Sequence, residues 1–140
     1  MLHVTLEEIM TEHIVVIHER ATVGDAAHLL LRHQINGVLI TKENNRDKVL
    51  AVLTTADLVK ALDKALTAKR GRLAKLEKMS SAPALNFASP APLKVQKDTR
   101  ISKVIALMQK KKIYTLPVFD KDKLVGVVGR HDILNVAFNS

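Results

Sequence analysis

The chain contains no cysteine and no tryptophan, and aromatic residues make up only 3% of its 140 positions. Without cysteine, disulfides and thiolate metal sites are excluded, a pattern that fits a reducing compartment. With only Phe87, Phe119, Phe138 and Tyr114 to supply rings, the core must be aliphatic. The aromatic platforms on which single-stranded nucleic acids stack are also missing. No apolar run approaches the roughly 18–20 residues of a membrane helix. The opening MLHVTLEEIMTEH places Glu7, Glu8 and Glu12 where a secretory leader would be basic and then apolar. A soluble, cytoplasmic protein with no membrane partner is the expectation. Nucleophile elbow, HExxH pair and glycine-rich phosphate loop are all lacking. His28 and His33 stand five apart, a poor chelating spacing, and His13 and His18 bracket a short β-rich run. Neither an enzyme nor a metal site is expected.

What is present is apolar and basic. Hydrophobic residues are 47% and charged residues 26%, enough to build a core and too apolar for a disordered tail. The formal charge is +8. Between Asp63 and Met79 six cations (Lys64, Lys69, Arg70, Arg72, Lys75, Lys78) face two anions (Asp63, Glu77), a local net of +4. This stretch reads as a solvated helix face or as a surface for anionic partners.

The dominant feature is an internal repeat. Shifted by 78 residues, Ile9-Met10-Thr11 falls on Phe87-Ala88-Ser89, and Val23, Ala26, Ala27 and Leu30 fall on Ile101, Val104, Ile105 and Met108. Three extra residues in KENNRDK then reduce the offset to 75, which sets VLAVLTTADLVKAL over LVGVVGRHDILNVA. Each copy reads β-α-β-β-α. A short strand (14–17; 93–95) precedes a helix with apolar residues at i, i+3, i+4 and i+7. Thr22 or Thr99 is placed to cap that helix. Strands 38–41 and 116–119 then lead through polar turns to strands 49–53 and 124–128, and a second helix begins near Thr55 or Arg130. One copy of about 50 residues is marginal alone, so two are expected to share cover for their sheets. The helix after Ala56 continues through Leu58, Leu62 and Leu66, weakens at Gly71, and resumes at Leu73 and Leu76. SSAPALNFASPAP then reads as turn-like and extended.

Thr54-x-x-Asp57 sits where a strand hands over to a helix. Free N–H groups and the positive end of the dipole favour anions there. A hydroxyl and a carboxylate at such a junction suit a ribose with phosphate nearby, since a carboxylate accepts both hydroxyls of a cis-diol. The same pattern is also a capping box, and the two roles are compatible. The second copy keeps Asp132 but replaces the hydroxyl with Gly129 and adds Arg130 and His131, which suit a phosphate equally well as they suit a solvated first turn.

In order and twice over, these features resemble the CBS domain, the regulatory module named after cystathionine β-synthase, whose tandem pairs form the Bateman module. EEIMT resembles its opening motif and ATVGDAAHLL its first helix. IYTLPVFDKDKLVGVV resembles its strand hairpin, and TTAD and GRHD stand at its [ST]-x-x-D. Departures are Leu39 where the second copy has Pro117, Thr41-Lys42, Ala51 opposite Gly126, and Gly129. The resemblance implies an α/β (α+β) fold of two CBS repeats packed sheet to sheet with pseudo-twofold symmetry. It is read here as 1–62, a basic linker at 63–86, and 87–140.

The resemblance further implies a regulatory module that binds AMP, ADP or ATP in the cleft between the repeats, with S-adenosylmethionine or NAD as further ligands and no cofactor. Thr54, Asp57, Asp132, Arg130 and His131 would hold ribose and phosphate. Adenine would lie near Ile14, Val15 and Val16 with Gly37 and Val38, and near Pro92, Leu93 and Lys94 with Thr115 and Leu116. A homodimer, and an effector protein on another chain, would read the ligand. The alternatives are a ligand-free dimerisation scaffold and nucleic-acid binding through the basic linker and Lys110-Lys111-Lys112.

Overall fold

The computed structural model describes residues 3–90 and 94–139. In chain order its elements are α1 (Leu6–Ile9), β1 (Val16–His18), α2 (Val23–His33), β2 (Gly37–Lys42), β3 (Asn45–Thr54), α3 (Thr55–Leu66) and α4 (Arg72–Met79). A 3₁₀ turn (Ala84–Asn86), β4 (Ser89–Pro90), β5 (Val95–Gln96), α5 (Ile101–Lys111), β6 (Thr115–Asp120), β7 (Lys123–Gly129) and α6 (Arg130–Phe138) follow. The fold is α+β with two sheets, ordered β1-β2-β3-β4 and β5-β6-β7.

Local sequence explains most boundaries. The Thr22 hydroxyl accepts from the Asp25 N–H at 3.1 Å, and the Thr22 N–H donates to Asp25 Oδ2 at 3.0 Å, a reciprocal cap on α2. Its counterpart α5 has Arg100, not Thr99, as its N-cap residue, with no side-chain cap. Both helices end on a left-handed residue, Gln34 (φ 53°) and Lys112 (φ 56°). The polar turn expected at KENNRDK is mostly strand. β2 runs to Lys42 and β3 restarts at Asn45, so the three extra residues lengthen the hairpin, with register shifts around Thr41. The short first strands lie slightly later than expected, at Val16–His18 and Val95–Gln96, where parallel pairing with the buried middle strands β2 and β6 fixes them.

The chain divides into two compact units. One is continuous, Val15–Ala91; the other is split, joining Met1–Ile14 to Pro92–Ser140. The spatial units therefore cut across the sequence repeat: each is the body of one copy plus the leading segment of the other. In the split unit the Leu6 N–H donates to the Thr99 carbonyl, and the Ile101 N–H donates to the Val4 carbonyl. In the continuous unit the Ala84 N–H donates to the Ala21 carbonyl and the Val23 N–H to the Ala82 carbonyl. These are the same bonds shifted by 78 residues. Bridges repeat the rule: Thr5 with Arg100 and Thr22 with Pro83, Thr11 with Val127 and Ser89 with Val52.

Each unit has its own apolar core. Leu6, Val95, Ile101, Val104, Met108, Leu116, Val118, Val128 and Ile133 fill the split unit. Ile17, Ala26, Leu30, Val38, Ile40, Ala51, Leu53 and Ala84 are among those that fill the continuous one. The borrowed segments plug these cores: Leu6 is 0% exposed and Ala84 1%. Burying a leucine is worth about 1.5–3 kcal/mol, which binds residues 1–14 to the C-terminal body. Lys97 adds an ion-pair link, reaching Glu7 on α1 at 3.5 Å and Asp120 on β6 at 3.4 Å. Asp120, and then Glu7, hold its ammonium above the ordinary lysine range. No helix among the described residues is long and apolar enough to cross a membrane.

Candidate functional site

Each unit brings the start of its middle strand beside the point where its last strand becomes a helix. In the continuous unit Gly37 pairs with Thr54, and in the split unit Thr115 pairs with Gly129. The hydroxyl that disappears at Gly129 thus has a counterpart across the strand pair, at Thr115, which is 9% exposed. One glycine and one threonine stand at both junctions, on opposite strands.

Thr54 and Asp57 are joined. The Asp57 N–H donates to Thr54 Oγ1 at 3.1 Å and the Thr54 N–H donates to Asp57 Oδ2 at 2.9 Å. The capping box suggested by the sequence is therefore formed. It fixes the half-buried Asp57 carboxylate at the head of α3 and leaves its other oxygen for a second acceptor role. The split unit has half of this arrangement. The Gly129 N–H donates to Asp132 Oδ2 at 2.8 Å, and no hydroxyl returns the bond. Instead Thr11 Oγ1, on the leading segment, donates to Asp132 Oδ1 at 3.5 Å. Gly129 is not demanded by crowding: a Cβ there would meet the Tyr114 carbonyl at 3.5 Å, an ordinary contact.

Arg130 lies with its guanidinium 4.3 Å from the Tyr114 ring centroid. That stacking orients an otherwise exposed cation at the first turn of α6, while its N–H edges stay able to donate. His131 follows, exposed. Among the expected adenine-side residues, Val15 and Val16 are half-buried; the Val15 carbonyl accepts from Leu39 N–H at 3.4 Å and Val16 pairs with Leu39. Ile14, half-buried, closes the first part of the split unit. Gly37 is half-buried beside Thr54, whereas the side chains of Val38 and Leu116 point into the cores, so these two offer a ligand their backbones. Lys94 is drawn elsewhere: its ammonium pairs with Asp122 at 3.1 Å and lies over the Phe119 ring, at the hairpin end of β6 away from Thr115. Pro92 and Leu93 lie outside the described residues.

Tyr114 and Thr11 are the two participants the sequence reading did not assign to the site. Tyr114 is the sole tyrosine, a signal that was available. Thr11 reaches Asp132 only because the leading segments are exchanged, which no local pattern reveals.

The CBS domain pattern matches residues 6–64 and 85–139. The chain belongs to the CBS domain family. Each match runs through both compact units, so in this CBS pair a sequence repeat and a spatial unit are different divisions. Solved structures match nearly the whole chain. A candidate acetoin utilization protein (AcuB) from Vibrio cholerae is 26% identical, with 97% of this chain and 91% of that one covered at a TM-score of 0.76. CBSX2 in complex with AMP is 25% identical, with 96% of each chain covered at 0.73. The CBS domain protein PAE2072 from Pyrobaculum aerophilum, complexed with AMP, is 21% identical over 92% of this chain and 89% of that one at 0.77, a likeness of fold. No curated protein matches the chain significantly.

Proposed function

We propose that this CBS pair is a regulatory module that binds adenine nucleotides at the strand–helix junctions of its two units and passes the binding to a partner chain. The observation that carries this reading is the pair of equivalent carboxylates, Asp57 and Asp132. Each has one oxygen held by a backbone N–H at the head of a helix; the other oxygen is the acceptor proposed for a ribose hydroxyl, and on Asp132 it already accepts from Thr11. The AMP complex of CBSX2 supports adenine nucleotides as the ligand class, with AMP, ADP or ATP ahead of S-adenosylmethionine or NAD. In the split unit a ligand on Asp132 would compete with Thr11 for the carboxylate, so binding would act on the leading segment and α1.

A second copy of the chain is the proposed first reader. Val59, Leu62 and Leu66 on α3, and Leu134 and Phe138 on α6, leave apolar surface exposed on the two equivalent helices. Thermal unfolding with each nucleotide at about 100 times its Kd should show about 2.7 kcal/mol of stabilisation. No shift with any adenine compound would defeat the proposal. Asp57→Ala and Asp132→Ala assign the response to one junction or both.

A further inference from the structure

We infer that the two junctions select ligands of different charge: the split-unit junction selects adenosine compounds that carry a 5′-phosphate, and the continuous-unit junction has no such preference. This rests on the nucleotide reading above and adds to it the residues that set selectivity. The repeat offsets pair the surrounding positions one to one. Arg130 stands for Thr55, His131 for Ala56, Tyr114 for Asn36 and Lys112 for Gln34. Gln34 and Lys112 both hold the left-handed position that ends α2 and α5 respectively, so the backbone is the same and only the charge differs. Cations at the ends of the long helices are similar: Arg32 and His33 end α2 where Lys110 and Lys111 end α5. Lys60 and Lys64 on α3, opposite Asn135 and Asn139, favour the continuous unit, and both lie beyond the first turn.

The split junction therefore presents a guanidinium held over Tyr114 and an imidazole at the first turn of α6, with Lys112 at the end of α5, two residues before Tyr114. A cation at a helix N-terminus is mildly unfavourable unless an anion joins it. Stacking on Tyr114 at 4.3 Å holds Arg130 there regardless, so a phosphate meets a donor fork already oriented. The continuous junction offers a phosphate the helix head, neutral side chains and the nearby Asp57 carboxylate.

The test uses the full chain and two probes that differ only in the phosphate, AMP and adenosine, in titration calorimetry at low salt. With Asp57→Ala, which leaves the split junction, AMP should bind at least ~10-fold more tightly than adenosine, the gain of one charge-assisted fork. With Asp132→Ala, which leaves the continuous junction, the two affinities should agree within about threefold. Adding Arg130→Gln to Asp57→Ala should lower the AMP-to-adenosine ratio about 10-fold. Adding Asn36→Tyr and Thr55→Arg to Asp132→Ala should raise it. Equal ratios at the two junctions, or a ratio that Arg130→Gln leaves unchanged, would overturn this inference while the nucleotide reading stands. Absence of binding by either probe to wild type and variants would overturn both. Arg130 is exposed, so Arg130→Gln in the native chain serves should a carboxylate variant not fold: the AMP isotherm should lose its tighter step, and an unaltered isotherm refutes the inference.

Discussion

The two compact units solve one packing problem with opposite residues. In the split unit Met10 lies on Gly126, where a Cβ would fall against its sulfur. In the continuous unit the equivalent positions are Ala88 and Ala51, both in or against the core. The same trade recurs at the junctions, with Thr115 opposite Gly129 and Gly37 opposite Thr54; at the plugs Leu6 stands for the smaller Ala84, and both are buried. At the Met10–Gly126 contact and at the junctions the large and small residues of a pair are redistributed between its two positions, rather than conserved at either. The departure of Ala51 from the family glycine thus has a steric reason: its partner is small. Comparison along the repeat alone reports a loss at each of these positions, and comparison across the contact shows the balance.

The sharpest way to break the comparison is at the plugs. Leu6→Ala should cost about 2–5 kcal/mol, because it empties a fully buried site. Urea midpoints measure it, and a cost under about 1 kcal/mol would mean that residues 1–14 are not part of the split core. Next in size is Gly126→Val, which should destabilise by about 1–3 kcal/mol through overpacking against Met10 and the Thr11 carbonyl. The double change Gly126→Ala with Met10→Ala copies the continuous unit and should cost less than the sum of its parts, a coupling of about 0.5–2 kcal/mol.

At the junctions Thr54→Ala should cost about 1 kcal/mol by opening the capping box. Gly129→Thr should instead stabilise by a few tenths of a kcal/mol, since its Cβ has room and its hydroxyl would face the Asp132 N–H. A loss on Gly129→Thr would show that the two junctions differ in more than one hydroxyl.

The smallest effect concerns pH. The Thr22 N–H, and then its hydroxyl, hold the Asp25 carboxyl below the ordinary carboxylate range. A depressed acid contributes stability above its unfolded value, near pH 4, and loses it as pH falls through the lower folded value. Asp25→Asn should therefore flatten the fall in melting temperature below about pH 4. The equivalent Lys103 on α5 has no such box to lose, and a carboxyl titration of Asp25 by NMR reads the shift directly.

The apolar spacing of Val23, Ala26 and Leu30, and of Ile101, Val104 and Met108, was legible because helical period and burial face are local properties. The starts of α3 and α6 fell at Thr55 and Arg130 as expected, because strand chemistry gives way to a cap there. The α5 start was misread at Thr99, since a threonine in sequence says nothing of whether its φ/ψ and neighbours permit capping. The hairpin at KENNRDK was legible but the extent of its turn was not: only Glu43 and Asn44 lie between the strands, because polar residues on an exposed strand end look like turn residues. At the candidate site the spacing of Thr54, Asp57 and Asp132 marked the strand–helix junctions in advance. The roles of Tyr114 and Thr11 could not be read in advance, since one depends on a cross-strand stack and the other on a segment more than a hundred residues away.

By itself the sequence determined the repeat, the order of elements within each copy and the family they belong to. It did so because periodicity, caps and turns act over a few residues. Only the tertiary structure decided which leading segment serves which body. That choice depends on which cavity Leu6 and Ala84 fill and which backbone groups they satisfy, and these are properties of surfaces that exist only once the chain has folded.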